Sequence, residues 1–123
     1  MPTDLTIGLV DRPGTLAHAT DALGRARINI DGACGFVHEG VGIYHVLVGD
    51  HELARRTLID AGFEILEERR VAIAEVRNEP GAAAAILRQV AEAGVNIDLL
   101  YMTADGRLVL GGADVSGLAK ALA

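Results

Sequence analysis

Asp11–Asp31 reads DRPGTLAHATDALGRARINID, and further along Asn78–Asp98 reads NEPGAAAAILRQVAEAGVNID. A shift of 67 positions lays Pro13-Gly14 on Pro80-Gly81 and Asn29-Ile30-Asp31 on Asn96-Ile97-Asp98, with Ala17 on Ala84, Ala26 on Ala93 and no gap. Matched alanines carry little in an alanine-rich chain. Two multi-residue anchors in the same order at the same interval carry the inference that the chain is an internal duplication.

Working outward from the first stretch, Thr3 to Val10 alternates, with Leu5, Ile7 and Leu9 on one face, as a half-buried strand does. Asp11-Arg12-Pro13-Gly14 breaks the pattern with turn chemistry. From Thr15 the period is helical, with Leu16, Ala19, Thr20, Leu23 and Ala26 on one stripe, and Thr15 or Asp11 is placed to cap the helix start. Ile28, Ile30, Cys34 and Phe36 alternate again, Glu39-Gly40 is a hairpin turn, and Val41–Val48 is the returning strand. Asp50 is a good N-cap for a second helix carrying Leu53, Leu58 and Ala61, which Gly62 closes, and Phe63–Leu66 is a short fourth strand. The order is βαββαβ.

The second copy begins near Arg70. Val71, Ile73 and Val76 form its first strand, followed by a turn at Asn78–Gly81 and a helix with Ala83, Ile86, Leu87 and Val90 inward, ending near Gly94. Strands at Asn96–Thr103 and Arg107–Gly112 flank a turn at Asp105-Gly106, and Asp114 caps a last helix, Val115–Leu122. A fourth strand is absent from this copy, which leaves a sheet edge that proteins usually pair or cover. The expected organisation is residues 1–68 as one repeat and 69–123 as a second, shorter one.

Composition narrows the function. Half of the 123 residues are hydrophobic, but Phe36, Tyr44, Phe63 and Tyr101 are the only aromatics, so the core is aliphatic. Seventeen acidic residues against eleven basic ones, with no basic run, disfavour nucleic acid and anionic membrane as partners. Cys34 is the single cysteine, which excludes an intrachain disulfide and a cysteine-rich metal cage. With no signal-peptide pattern and no apolar run of roughly 18 residues, a cytoplasmic soluble protein is expected.

Each copy sets Pro-Gly between its first strand and first helix, and Asn-Ile-Asp where that helix hands over to the next strand. A helix start offers unpaired N–H groups that suit a carboxylate, and Gly14 or Gly81 lets a small ligand approach the backbone. Asn29 and Asp31, or Asn96 and Asp98, offer oxygens suited to an ammonium group. Each feature also has a plain structural explanation. Pro-Gly is an ordinary turn, an Asn after a helix often takes the left-handed conformation, and an Asp on a polar strand face is usually solvated.

The two quoted stretches resemble the strand–helix–strand signature of ACT domains, in which Pro-Gly opens an amphipathic helix ending in an Ile-Asn-Ile or Val-Asn-Ile step. The resemblance covers nearly the whole chain apart from the final strand of the second copy. It implies an α+β fold of two ferredoxin-like repeats, with sheets side by side and helices on one face. It also implies a regulatory module that binds an amino acid at the interface between two ACT units. Carried over by position, Asp11, Arg12, Pro13, Gly14, Thr15 and Leu16 form one ligand loop and Asn78, Glu79, Pro80, Gly81 and Ala82 the other. Asn29, Ile30, Asp31 and Asn96, Ile97, Asp98 are the facing segments. Arg12 becomes Glu79 and Leu16 becomes Ala83, so the two sites need not share a ligand.

The resemblance further implies a homo-oligomer, a dimer, with a free amino acid as ligand and an unidentified regulated protein as partner. No cofactor and no metal are expected. A ligand-free scaffold working through protein–protein contacts is the alternative, and a small enzyme ranks behind both. His18, His38, His45 and His51 lack ligand spacing and accompany no nucleophile motif. An RNA-recognition module would need aromatic stacking residues and a basic surface, and a soft-metal carrier paired cysteines.

Overall fold

The computed structural model describes residues 2–123, which divide into two compact units, Thr3–Arg69 and Arg70–Ala123 with Pro2. The first unit runs β1 (Thr3–Val10), α1 (Thr15–Arg25), β2 (Gly32–His38), β3 (Val41–Val48), α2 (His51–Asp60) and β4 (Glu64–Arg70). Its sheet has the order β2-β3-β1-β4. β1 pairs antiparallel with β3 from Thr3 opposite Val48 to Val10 opposite Val41, and β2 with β3 from Gly32 opposite Leu47 to His38 opposite Val41. This is the ferredoxin-like βαββαβ path. The second unit runs β5 (Ala72–Glu75), α3 (Ala82–Glu92), β6 (Leu99–Met102), β7 (Arg107–Gly111) and α4 (Val115–Leu122). Its sheet order, β5-β7-β6, is the same path one strand short among the described residues.

The period of two in β1 turns Leu5, Ile7 and Leu9 inward beside Tyr44, Val46 and Val48 of β3. Ala19 and Leu23 of α1 and Ala54 and Leu58 of α2 close the layer over them. In the second unit the positions of Leu5 and Ile7 are held by Ala72 and Ala74, packed with Val90, Leu108, Leu110 and Leu118. Burying a Leu or Ile side chain contributes about 1.5–3 kcal/mol, so the second core is the thinner one.

Equivalent backbone bonds recur in the two units, from donors 67 residues apart. The Arg12 N–H donates to the Val10 carbonyl at 2.9 Å, and the Glu79 N–H to that of Arg77 at 2.9 Å. The Asp31 N–H donates to Leu47, and the Asp98 N–H to Gly111, both at 2.9 Å. The caps are those the sequence indicates: Asp50 accepts from the Leu53 N–H at 3.0 Å and Asp114 from the Gly117 N–H at 2.9 Å. Glu39 and Gly40 both take the left-handed conformation of a tight hairpin turn.

Several boundaries differ from the sequence reading. β4 runs on to Arg70 instead of stopping at Leu66, because pairing at a sheet edge continues through charged residues that show no apolar period. Residues 28–31 precede β2 and are not part of it; Ile28 and Ile30 still pack on the core. β6 likewise begins at Leu99, not Asn96, and β5 is centred on Ala72–Glu75. The left-handed residue after α1 is Arg27, with φ of 60°, and after α3 it is Gly94, so Asn29 and Asn96 do not fill that role.

Candidate functional site

The loop between β1 and α1 is tied to its own backbone. The Thr15 hydroxyl donates to the carbonyls of Val10 at 2.8 Å and Arg12 at 3.1 Å. It therefore does not cap α1, and neither does Asp11. The N-cap is Gly14, left-handed at φ 92°, and no side chain bonds to the helix start. Gly81 repeats this at α3 with φ 85°. Positive φ of this kind is strained for any residue with a Cβ, which accounts for glycine at both places.

A cavity of about 420 Å³ lies against this loop, formed wholly by the first unit. Asp11, Arg12, Thr15 and Leu16 line it from the loop and α1, and Leu9 and Val10 from the end of β1. The opposite wall comes from β2 and β3 and includes Cys34, Gly35, Phe36, Val37, Ile43 and Tyr44. Strand register explains the hollow. Leu9 stands opposite Gly42, Gly42 opposite Val37, and Gly35 opposite Tyr44. Directly opposed residues share a face, so two positions in this row have no side chain to fill the space beside Leu9 and Tyr44. Burial raises the Tyr44 phenol above its ordinary pKa.

The charged groups sit on the loop and the apolar groups on the strands. Asp11 and Arg12 are exposed at the rim, carrying opposite charges side by side. Leu16 and Val37 are about half exposed, so the apolar wall is open to solvent, while Phe36 turns to the other face of the sheet and stacks on His45 with ring centres 6.1 Å apart. Sequence reasoning found the loop and missed the wall. The available signal was Val37, apolar on the strand face that the alternation of Cys34 and Phe36 leaves open.

Asn29, Ile30 and Asp31 are not part of this cavity. They precede Gly32, which pairs with Leu47 at the end of the sheet where β1 begins, whereas the loop follows Val10 at the other end. Seven strand steps, roughly 23 Å, separate the two ends. Asn29 donates to the Asp31 carboxylate at 2.8 Å, Asp31 is held through its N–H by Leu47, and Ile30 packs on the core. In the second unit Asn78, Glu79, Pro80 and Gly81 are exposed and Ala82 is half-buried. Asp98 is bonded to Gly111 at the far end, and Asn96 is exposed beside half-buried Ile97. Two hollows in that unit lie elsewhere, one by β5 and the end of α4, the other between the end of α3 and the start of α4.

His18, His45 and His51 are held in packing or pairing, and His38 is exposed at the end of β2. His18 meets Phe63 edge-on with ring centres 5.0 Å apart, and His51 approaches Glu68 at 3.6 Å. On the sheet face away from the first core, Asp4 is fully buried and its carboxylate bonds to His45 Nδ1 at 2.9 Å. The Thr6 hydroxyl lies 3.2 Å from the same carboxylate and 3.1 Å from that nitrogen. A buried carboxylate is tolerable because these groups satisfy it. Among the described residues no group of three or more His, Cys, Asp or Glu could hold a metal ion, and no helix is long and apolar enough to cross a membrane.

Residues 3–58 match the family model of the ACT domain. The ACT match begins with β1 and ends within α2, so it contains the loop and all the cavity walls. Among solved structures the chain is similar to protein BT0572 from Bacteroides thetaiotaomicron, at 26% identity and a TM-score of 0.87, covering 98% of this chain and 85% of that one. It is also similar to the ligand-free regulatory subunit of aspartate kinase from Thermus thermophilus, at 20% identity and a TM-score of 0.71, over 98% and 89% of the two chains. The corresponding subunit from Thermus flavus gives 19% identity and a TM-score of 0.65, over 98% and 90%. No curated protein matches the chain. The Thermus likenesses speak to fold, and they run over 98% of this chain.

Proposed function

We propose that this chain is a regulatory protein that binds a free amino acid through its first ACT unit and transmits the bound state to a partner protein. The observation that carries the reading is the cavity at the β1–α1 loop, with Asp11 and Arg12 on its rim beside an uncapped helix start. An α-amino acid carries an ammonium and a carboxylate on one carbon. Asp11 suits the first, while Arg12 and the open N–H groups of α1 suit the second. The likeness to regulatory subunits of aspartate kinase supports a regulatory role worked out on another protein.

The full ligand set we propose includes a second copy of the chain. β2 is an edge strand, and its free side borders the cavity. Antiparallel pairing of β2 with β2 of another copy would carry the partner's Asn29–Asp31 end toward the Asp11–Leu16 loop. The two segments, roughly 23 Å apart within one chain, would then face each other across the dimer. Asn78–Ala82 and Asn96–Asp98 would form an equivalent second site only if the second unit also pairs in this way. Catalysis is no part of the proposal.

A ligand-free scaffold is the second reading, favoured by the exposed Val10, Phe36, Val37 and Val41 at the same end of the sheet. Thermal melts against the standard amino acids separate the two. A ligand at about 100 times its dissociation constant adds roughly 2.7 kcal/mol, a shift on the order of 10 °C for a chain of this size. Such a shift for one or two amino acids, lost in Arg12→Ala, is expected. A flat panel at millimolar concentrations would overturn amino-acid binding and leave the scaffold.

A further inference from the structure

We infer that the first-unit cavity selects amino acids with an apolar side chain, of the size of valine to methionine, over charged and hydroxylated ones. The inference rests on the amino-acid reading above and adds the class of side chain. The cavity has two ends of different chemistry. Asp11, Arg12 and the start of α1 gather the charge at the loop, where the ammonium and carboxylate would sit. Beyond them the lining from β1, β2 and β3 has no ionised side chain. Leu9 and Val37, which both stand opposite Gly42, share one face of the sheet with Ala33, Gly35 and Tyr44, and Leu16 of α1 lies beside them; all but the largely buried Tyr44 phenol are apolar or lack a side chain.

A lysine or aspartate side chain directed along this wall would give up water for aliphatic groups, with the largely buried Tyr44 hydroxyl as the polar side-chain group the strands place there. An aliphatic side chain would cover surface that is otherwise exposed: Leu16 at 48% and Val37 at 55%. The volume, about 420 Å³, lies within the range of small-ligand sites. Arg12 does not argue for an acidic side chain in the ligand. It adjoins Asp11 on the loop, at the end where the α-carboxylate needs a cation.

Gly35 gives the direct test. A Cβ built there meets Tyr44 Cδ1 at 3.5 Å, an ordinary contact, and its φ is not in the left-handed region, so the strand accepts a side chain. Gly35→Leu therefore fills the hollow while β2 remains a strand. The full-length chain is titrated calorimetrically with valine, leucine, methionine, threonine, lysine and aspartate. Valine against threonine is the sharpest pair, since an apolar pocket separates these isosteres by up to about 100-fold. The expected result is binding of valine, leucine or methionine, at least tenfold weaker threonine, no detectable lysine or aspartate, and loss of the apolar ligands in Gly35→Leu. Should Gly35→Leu fail to fold, Leu16→Asp serves in its place. Leu16 is half exposed in the first turn of α1, where an acidic residue favours the helix, and the change puts a negative charge on the wall. Tighter binding of lysine, aspartate or threonine overturns the selectivity and leaves amino-acid binding standing. Apolar ligands that bind both variants as well as the parent overturn the location. Silence from all six overturns this inference, and only a flat panel of the standard amino acids also removes the reading beneath it.

Discussion

Arg27 and Gly94 occupy the same place in the two units, two positions past the end of the first helix, and both are left-handed, with φ of 60° and 72°. A glycine takes that conformation without cost, whereas a residue with a Cβ is strained by about 1 kcal/mol or somewhat more. Arg27 is exposed, so its substitution disturbs no packing. Arg27→Gly should therefore stabilise the protein by about 0.5–1 kcal/mol after the added freedom of the unfolded chain is counted, and Gly94→Ala should cost about 1 kcal/mol. Urea melts of the two variants check both signs; an Arg27→Gly variant less stable than the parent would mean the arginine side chain contributes a contact of its own. Tyr44 makes a prediction in pH. Burial raises its folded pKa above the ordinary value near 10 that the unfolded chain retains. Stability from this group is then fully present below pH of about 10 and declines as pH rises from there through the folded pKa, because the unfolded chain loses its proton first. In Tyr101→Phe the remaining phenol should titrate above 10 by absorbance, and in Tyr44→Phe the alkaline loss of stability should be smaller.

At the scale of elements, the sequence is most legible where a local rule leaves one outcome. β1 follows from the alternation of Leu5, Ile7 and Leu9 and β3 from its apolar run, and the β2–β3 turn follows from Glu39-Gly40; that the polar face carrying Asp4, Thr6 and His45 is buried as well is not legible from the alternation. α2 and α4 follow from Asp50 and Asp114, whose carboxylates have no comparable local role except as caps. Legibility fails where the deciding partner is distant. Glu67, Glu68, Arg69 and Arg70 belong to β4 because neighbouring β1 is there to pair with them, and nothing in their own order says so. Ala72 and Ala74 are core residues of β5, yet alanine carries too weak an apolar signal to set the phase against Val71 and Ile73. The candidate site divides along the same line. Asp11–Leu16 is one continuous loop and can be read directly, whereas Gly35, Gly42 and Tyr44 meet only once β2 has paired with β3 and β3 with β1. Thr15 shows a subtler failure: the residue type suits a cap, but its hydroxyl reaches two loop carbonyls instead, and a rule based on residue type cannot choose between these bonds.

For the molecule as a whole, the feature that calls for a partner is β2, an edge strand of the first unit's sheet. An exposed edge strand carrying apolar residues invites pairing with another chain, and Phe36 and Val37 are half exposed along this one. A two-fold pairing of β2 with β2 would cover them and continue the sheet from one copy into the next. Light scattering should accordingly show a dimer, and Phe36→Lys, which leaves the aliphatic core under the helices alone and replaces the ring stacked on His45 by a charge on that edge, should shift it toward monomer. If the ligand is completed by Asn29–Asp31 of the second copy, dimer formation and amino-acid binding are coupled. Linkage requires the coupling to be reciprocal: an amino acid that tightens the dimer tenfold must itself bind the dimer tenfold more tightly than the monomer. Measuring the dimer dissociation constant with and without saturating ligand, and ligand affinity in Phe36→Lys, tests both halves. A monomeric Phe36→Lys that binds the amino acid as well as the parent would show that one chain completes the site, and a Phe36→Lys that remains dimeric would place the interface on another surface.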